Sequence, residues 1–280
     1  MTGAPLLQVR GVSKRFGGLT VVDEVSFAIA PGEVLSIIGP NGSGKTSTLN
    51  IVSGVLAADA GSVELAGERL TGRKPHQIAR LGLTRTFQNG RVIGNLTVRE
   101  NVRVGLDGLG QRRSRLREIP GARWIPLLGE TLAALFAPRG ARDAADADAV
   151  DRQLARFGER LAPRRDRYAF TLSYANRRRT EIARALVAEP RILVLDEPTA
   201  GMNQTETAEV LAQLLELKAH GQTMLLVEHK LDLVMTLSDR VVVLDEGRII
   251  AAGTPAEVRR DPRVIEAYLG TAFAKEHPHD

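Results

Sequence analysis

The stretch EVLSIIGPNGSGKTSTLNIVSGVL, residues 33–56, leaves few choices for the chain that contains it. EVLSIIG is apolar on both faces, the pattern of a strand buried inside a sheet, and GKTSTLNIVSGVL follows as a helix. Between them lie Gly39, Pro40, Asn41, Gly42, Ser43, Gly44, Lys45, Thr46 and Ser47, which match G-x-x-x-x-G-K-[ST] through Gly39, Gly44, Lys45 and Thr46. Glycines let successive backbone N–H groups curl around phosphate oxygens, and the helix N-terminus adds partial positive charge. Lys45 reaches β- and γ-phosphates, while the Thr46 hydroxyl ligates Mg²⁺. A glycine-rich turn that only caps a helix is the competing reading; the strand before it and the helix after it weigh against that.

The rest of the chain repeats this alternation. RILVLD (191–196), TMLLVE (223–228) and RVVVLDEG (240–247) read as further buried strands. They are separated by NQTETAEVLAQLLELKAHG (203–221) and HKLDLVMTLSD (229–239), both of helical periodicity. Strands alternating with helices imply an α/β fold with a mostly parallel sheet covered on both faces. LLQVRGV (6–12) and VVDEVSFAIA (21–30) come without a helix between them, which suggests an antiparallel β layer. Residues 97–170 show no strand signal and read as mainly helical. With 280 residues and 43% hydrophobic content, the chain can bury a core of one large domain or two small ones.

A phosphate loop needs a carboxylate on a neighbouring strand to complete a Mg²⁺ shell. RILVLDEP supplies Asp196 at the C-terminal end of a strand, where α/β sheets place ligands. Glu197 follows, placed to polarise a water attacking the γ-phosphate; a solvated Asp-Glu pair is the bland alternative. LLVEHK ends a strand at His229, able to contact the γ-phosphate and hold water and Glu197; a lone histidine there is otherwise structural. LTRTFQN ends a strand at Gln88, able to touch Mg²⁺ and water, or else a surface residue. Phe16, in SKRFGG, either stacks on adenine or belongs to the core.

Composition narrows the partners. There is no cysteine, which excludes disulfides and thiolate metal sites. A net charge of +5 falls far short of a nucleic-acid-coating protein. The N-terminus has no signal-peptide pattern, and no apolar run approaches the ~20 residues of a membrane span. The chain is expected to be soluble and to meet a membrane only through a partner.

Taken in order, these residues resemble the ATP-binding subunit of ABC transporters. Phe16, Gly39–Ser47, Gln88, Leu172–Asn176, Ile192–Asp196 with Glu197, Ala200–Asn203 and His229 fall in that family's sequence of aromatic loop, Walker A, Q-loop, signature, Walker B, D-loop and H-loop. The stretches GLTRTFQNGRVIGNLTVRENVRVG, DEPTAGMNQTET and GTPAEVRRDPRVIEAYLG look like subunits of the branched-chain amino acid uptake type. The resemblance implies a P-loop NTPase core with a helical subdomain. It places one ATPase domain over 1–271, the subdomain over roughly 89–185, and a disordered tail over 272–280. It implies MgATP hydrolysis, with Glu197, His229 and Gln88 catalytic and Thr46, Gln88 and Asp196 around the metal. Phe16, Gly39–Ser47, Ser173 and Ala175 would contact nucleotide.

The signature TLSYANRRRTEIARAL (171–186) departs from the family pattern at Ala175 and Asn176, where glycine and glutamine are expected. In the family this motif contacts the ATP held by the opposite subunit, through Ser173, backbone N–H groups and the helix dipole. Alanine adds a methyl group at a place of close approach, with strain of ~1–2 kcal/mol if positive φ is required. Arginines 177–179 read as a solvated or interface face. The insert 110–143, with Trp124, reads as helices packed on the subdomain or as an amphipathic element touching lipid or partner.

The resemblance also implies partners: transmembrane permease subunits, a second ATP-binding subunit that is a paralogue, and, indirectly, a periplasmic or extracellular solute-binding protein. No nucleic acid is expected. The chain would sit peripherally on the cytoplasmic face of the cell membrane and energise amino-acid uptake. A soluble ABC ATPase of DNA repair or translation usually has a long coiled coil or tandem cassettes, and neither is seen. A regulatory module without hydrolysis would not require Glu197 and His229; Ala175 is the feature in its favour.

Overall fold

The computed structural model describes residues 4–86, 92–107 and 139–268. Two sheets organise them. The smaller has the order β2-β1-β4-β5, antiparallel throughout, from β1 (Leu7–Phe16), β2 (Leu19–Ile29), β4 (Ala60–Leu65) and β5 (Glu68–Arg69). The larger has the order β10-β9-β3-β8-β7-β6, from β3 (Val34–Ile38), β6 (Leu83–Arg85), β7 (Ile192–Asp196), β8 (Thr223–Val227), β9 (Arg240–Asp245) and β10 (Arg248–Gly253). All its neighbours run parallel except the β9–β10 pair.

The buried strands read as continuous apolar runs because both faces are covered. In β7, Ile192 and Val194 join a cluster shared with the antiparallel layer and with α1 (Lys45–Val52), while Leu193 and Leu195 face the opposite cluster. That second cluster is built with α3 (Val98–Asp107), α4 (Arg139–Arg156), α6 (Tyr174–Leu186), α7 (Gln204–Ala219) and α8 (Leu231–Leu237). The short α2 (Pro75–Arg80) adds Ile78 to the first cluster and α5 (Gly158–Leu161) adds Leu161 to the second, and α9 (Pro255–Val258) follows β10.

The six-stranded order decides where chemistry collects. With β3, β8, β7 and β6 side by side and parallel, the segments leaving their C-terminal ends emerge at one edge. Those segments are the loop starting at Gly39, His229, the pair Asp196–Glu197, and Thr86 after β6. This is the crevice in which open α/β sheets bind ligands.

Several elements differ from the sequence reading. Strands β4, β5 and β10 were not anticipated; each pairs only with antiparallel neighbours. The helix expected over 44–56 ends at Val52, with Ser53 as its cap and Gly54 left-handed at φ 71°. Within 97–170 the described residues are helical but include an antiparallel bridge between Thr97 and Tyr168. Gln88, Trp124 with most of the insert, and the 272–280 tail lie outside the described residues. Among the described residues no helix is long and apolar enough to cross a membrane.

Candidate functional site

The loop after β3 is shaped by glycine where nothing else fits. Gly39 and Gly44 have φ of 149° and 96°. A Cβ on Gly39 would sit 2.0 Å from the Leu244 carbonyl oxygen, and one on Gly44 would sit 2.5 Å from that of Val21. The loop is therefore pinned between the end of β9 and the start of β2. Lys45, buried, turns back and donates from Nζ to the carbonyl oxygens of Gly39 (2.8 Å) and Pro40 (2.6 Å). Burial pushes its pKa down, opposed by the charge of Glu197. Asn41, Gly42 and Thr46 are exposed around it, Ser47 is half-buried, and Ser43 is buried. From the C-terminal side, the Tyr268 phenolic oxygen accepts from the Gly39 N–H; burial raises that phenol and this bond opposes the rise.

Asp196 ends β7 almost wholly buried, at 1% exposure. Its Oδ2 accepts from Arg85 Nη2 at 2.7 Å, and Arg85 Nη1 donates to Asn50 Oδ1 and Ser53 Oγ, each at 2.8 Å. One guanidinium thus joins β6, β7 and the last turn of α1. Asp196 Oδ1 is buried and has no hydrogen-bond partner among the described residues. A buried acceptor left without a donor is costly unless something else occupies that place. Next to a phosphate loop with an exposed threonine, this fits a hydrated Mg²⁺, which takes one or two protein oxygens plus phosphates and waters.

Glu197 leaves the sheet with φ 47°, a left-handed backbone, and its Oε1 lies 2.5 Å from His229 Nε2. Two strand ends therefore bring together the two residues singled out for water activation. Glu228, buried beside His229, accepts from the His229 N–H at 2.8 Å and from Thr199 Oγ1 at 2.7 Å, so it links the segments after β7 and β8. Phe16 is 52% exposed and outside the core clusters, with Lys14 Nζ 5.6 Å from its ring centroid. The core reading of Phe16 is thereby removed.

The structure ties Ser173 and Ala175 to their own helix. Ser173 caps α6, its Oγ accepting from Asn176 N at 3.4 Å. Ala175 lies in the first turn, buried against the helical cluster, and is not among the positive-φ residues, so the left-handed strain considered from sequence does not arise. Asn176 Oδ1 accepts from Arg179 at 2.9 Å, so its amide is engaged within the helix.

The arginine run requires a correction. Arg178 and Arg179 are not a solvated face: they are 1% and 2% exposed. Arg179 pairs with Glu209 at 2.5 Å, and Arg178 bonds Glu181 and the backbone carbonyls of Asp196 and Glu197 at the end of β7. A run of three arginines carries no sign of which ones turn inward; the helical phase against β7 decides it. Arg85 and Glu228 were also passed over, although a lone arginine in a strand beside Gln88 and an acid beside His229 were visible signals.

A family model described as "ABC transporter" matches residues 22–200, and one described as "Branched-chain amino acid ATP-binding cassette transporter" matches 248–274. The high-affinity branched-chain amino acid transport ATP-binding protein LivG of Escherichia coli (strain K12) is 40% identical over 272 residues, covering 96% of this chain and 99% of LivG. BraF of Pseudomonas aeruginosa, bearing the same description, is 39% identical over 269 residues, with 96% and 99% covered. Among solved structures, the ADP conformation of MJ1267, an ATP-binding cassette of an ABC transporter, superposes with a TM-score of 0.76. It is 33% identical and covers 96% of this chain and 100% of that one. On these matches the chain belongs to the ABC transporter ATPase family.

Proposed function

We propose that this chain hydrolyses MgATP to energise uptake of branched-chain or related amino acids through partner transmembrane permease subunits. It would sit peripherally at the cytoplasmic face of the cell membrane. A second ATP-binding subunit, a paralogue, would complete each nucleotide sandwich. The observation that carries the hydrolytic reading is the 2.5 Å contact between Glu197 and His229 beside the phosphate loop. The amino-acid class rests on the printed descriptions of the relatives and on the C-terminal match over 248–274.

In this reading Gly39–Ser47 wrap the phosphates, and Lys45 exchanges its carbonyl partners for β- and γ-phosphate oxygens. Thr46, Asp196 and Gln88 would hold Mg²⁺, which neutralises phosphate charge when bound. Glu197 orients and polarises the attacking water while His229 holds the Glu197 carboxylate and meets the γ-phosphate. Phe16 offers its exposed ring to adenine. Ser173 and the N–H groups of the first turn of α6 face the nucleotide of the opposite subunit.

The test is the complex assembled with its membrane subunits in proteoliposomes. Leucine, isoleucine or valine, delivered by the solute-binding protein, should stimulate ATP hydrolysis and enter the vesicles. Glu197→Gln should retain ATP binding while losing ~10²–10⁴ in turnover, the usual worth of a general base. Wild-type turnover in that variant removes Glu197 from the mechanism. Stimulation by another solute class, with these three inert, overturns the substrate assignment alone.

A further inference from the structure

Arg178 is wholly buried in the middle of α6, yet it points out of that helix towards the end of β7. Its Nη2 donates to the carbonyl oxygens of Asp196 at 2.6 Å and Glu197 at 2.9 Å, while Nη1 donates to Glu181 Oε2 at 2.7 Å. In an extended strand successive carbonyls point to opposite sides. Here two consecutive ones converge on a single nitrogen because the chain turns left-handed at Glu197, φ 47°. Residues other than glycine seldom adopt that conformation, so something must hold it. The Glu197 N–H stays in the sheet, donating to Val227 O at 2.8 Å, and the Ala200 N–H donates back to Glu197 O at 3.1 Å. The guanidinium closes the turn from the remaining side. Held this way, the Glu197 carboxylate meets His229.

We propose that Arg178 is a positioning residue for hydrolysis. It fixes the left-handed turn from which Glu197 acts, and it ties that turn to the helix capped by Ser173. This rests on the reading of Glu197 as the water-activating group. Because the same reading has Ser173 facing the opposite subunit's nucleotide, Arg178 links the acid of one ATP site to the signature helix of the other. Closure of α6 on the second nucleotide is then felt at the first through a guanidinium that cannot be stretched.

The test uses Arg178→Met, Arg178→Lys and the double variant Arg178→Met/Glu181→Met in the assembled complex. The double variant removes both members of the 2.7 Å Arg178–Glu181 pair, leaving Arg184, 4.0 Å from Glu181 and 17% exposed in its side chain, to meet solvent, and it keeps the question answerable if the single one misfolds. The double variant should melt near wild type and bind Mg²⁺–AMP-PNP with affinity unchanged within about twofold. Its kcat should fall by about 10- to 100-fold, as expected when a reacting group is misplaced by an ångström or so, with KM for ATP unmoved. Arg178→Lys, which keeps the charge but reaches fewer acceptors, should recover part of that loss. Added to Glu197→Gln, the double change should cost almost nothing further, since residues acting through one group are not additive. A folded double variant with wild-type kcat overturns the proposal, as does a loss that adds in full to that of Glu197→Gln. If Glu197→Gln alone turns over normally, the failure lies in the assignment of Glu197, a distinct result.

Discussion

At the scale of single residues, charge burial separates positions that look alike in sequence. Arg85 and Asp196 are 5% and 2% exposed in their side chains, a buried ion pair. Breaking such a pair from one side leaves a charge without compensation. Arg85→Met should therefore destabilise the chain by about 3–5 kcal/mol. Chemical denaturation of the purified protein measures this, and a change near zero would show that Asp196 finds another partner. Phe16 belongs to the other extreme, exposed at the end of β1 with Lys14 Nζ over its ring. Phe16→Ala should leave the melting temperature in place and weaken adenine nucleotides by ~1–3 kcal/mol, the range for base–aromatic stacking. Equal affinity for ATP in both proteins would remove the stacking role.

Among the elements, α6 is where sequence and structure say different things about the same residues. Ala175 departs from the family's glycine, yet its backbone is helical and its methyl packs in the core. Ala175→Gly should cost about 1 kcal/mol of stability, the helix-propensity difference, rather than relieve strain. Because that methyl faces the chain's own core, the departure expected to matter at the nucleotide of the opposite subunit is Asn176, whose amide Arg179 holds within the helix. In the assembled complex carrying Glu197→Gln, Ala175→Gly with Asn176→Gln should raise the remaining ATPase rate. No increase there would make Ala175 a neutral replacement and end the idea of two unequal sites. The helix is readable from its apolar spacing, but the inward turn of Arg178 and Arg179 is not. That depends on which face meets β7 and α7, a matter of packing and not of pattern.

For the whole molecule, the proposed attachment to a membrane is peripheral, through partner subunits; among the described residues no helix is long and apolar enough to span one. Alkaline carbonate washing of membranes should release the chain while leaving the permease subunits behind. Retention after that wash would contradict peripheral attachment. The amino-acid sequence by itself determined the phosphate loop, the strand-then-carboxylate of β7, and the α/β alternation, because each is a local pattern within one or two elements. The loop can be read so directly since its glycines are dictated by the backbone's own geometry, as at Gly39 and Gly44. Only the tertiary structure decided the strand order that sets β3, β8, β7 and β6 side by side, and with it the meeting of Glu197 and His229. It alone paired Arg85 with Asp196 across 111 positions and turned Arg178 onto the carbonyls of Asp196 and Glu197. The physical reason is common to all three. A buried charge or strand edge accepts whichever distant partner satisfies it, and burial is settled by the packing of the entire chain.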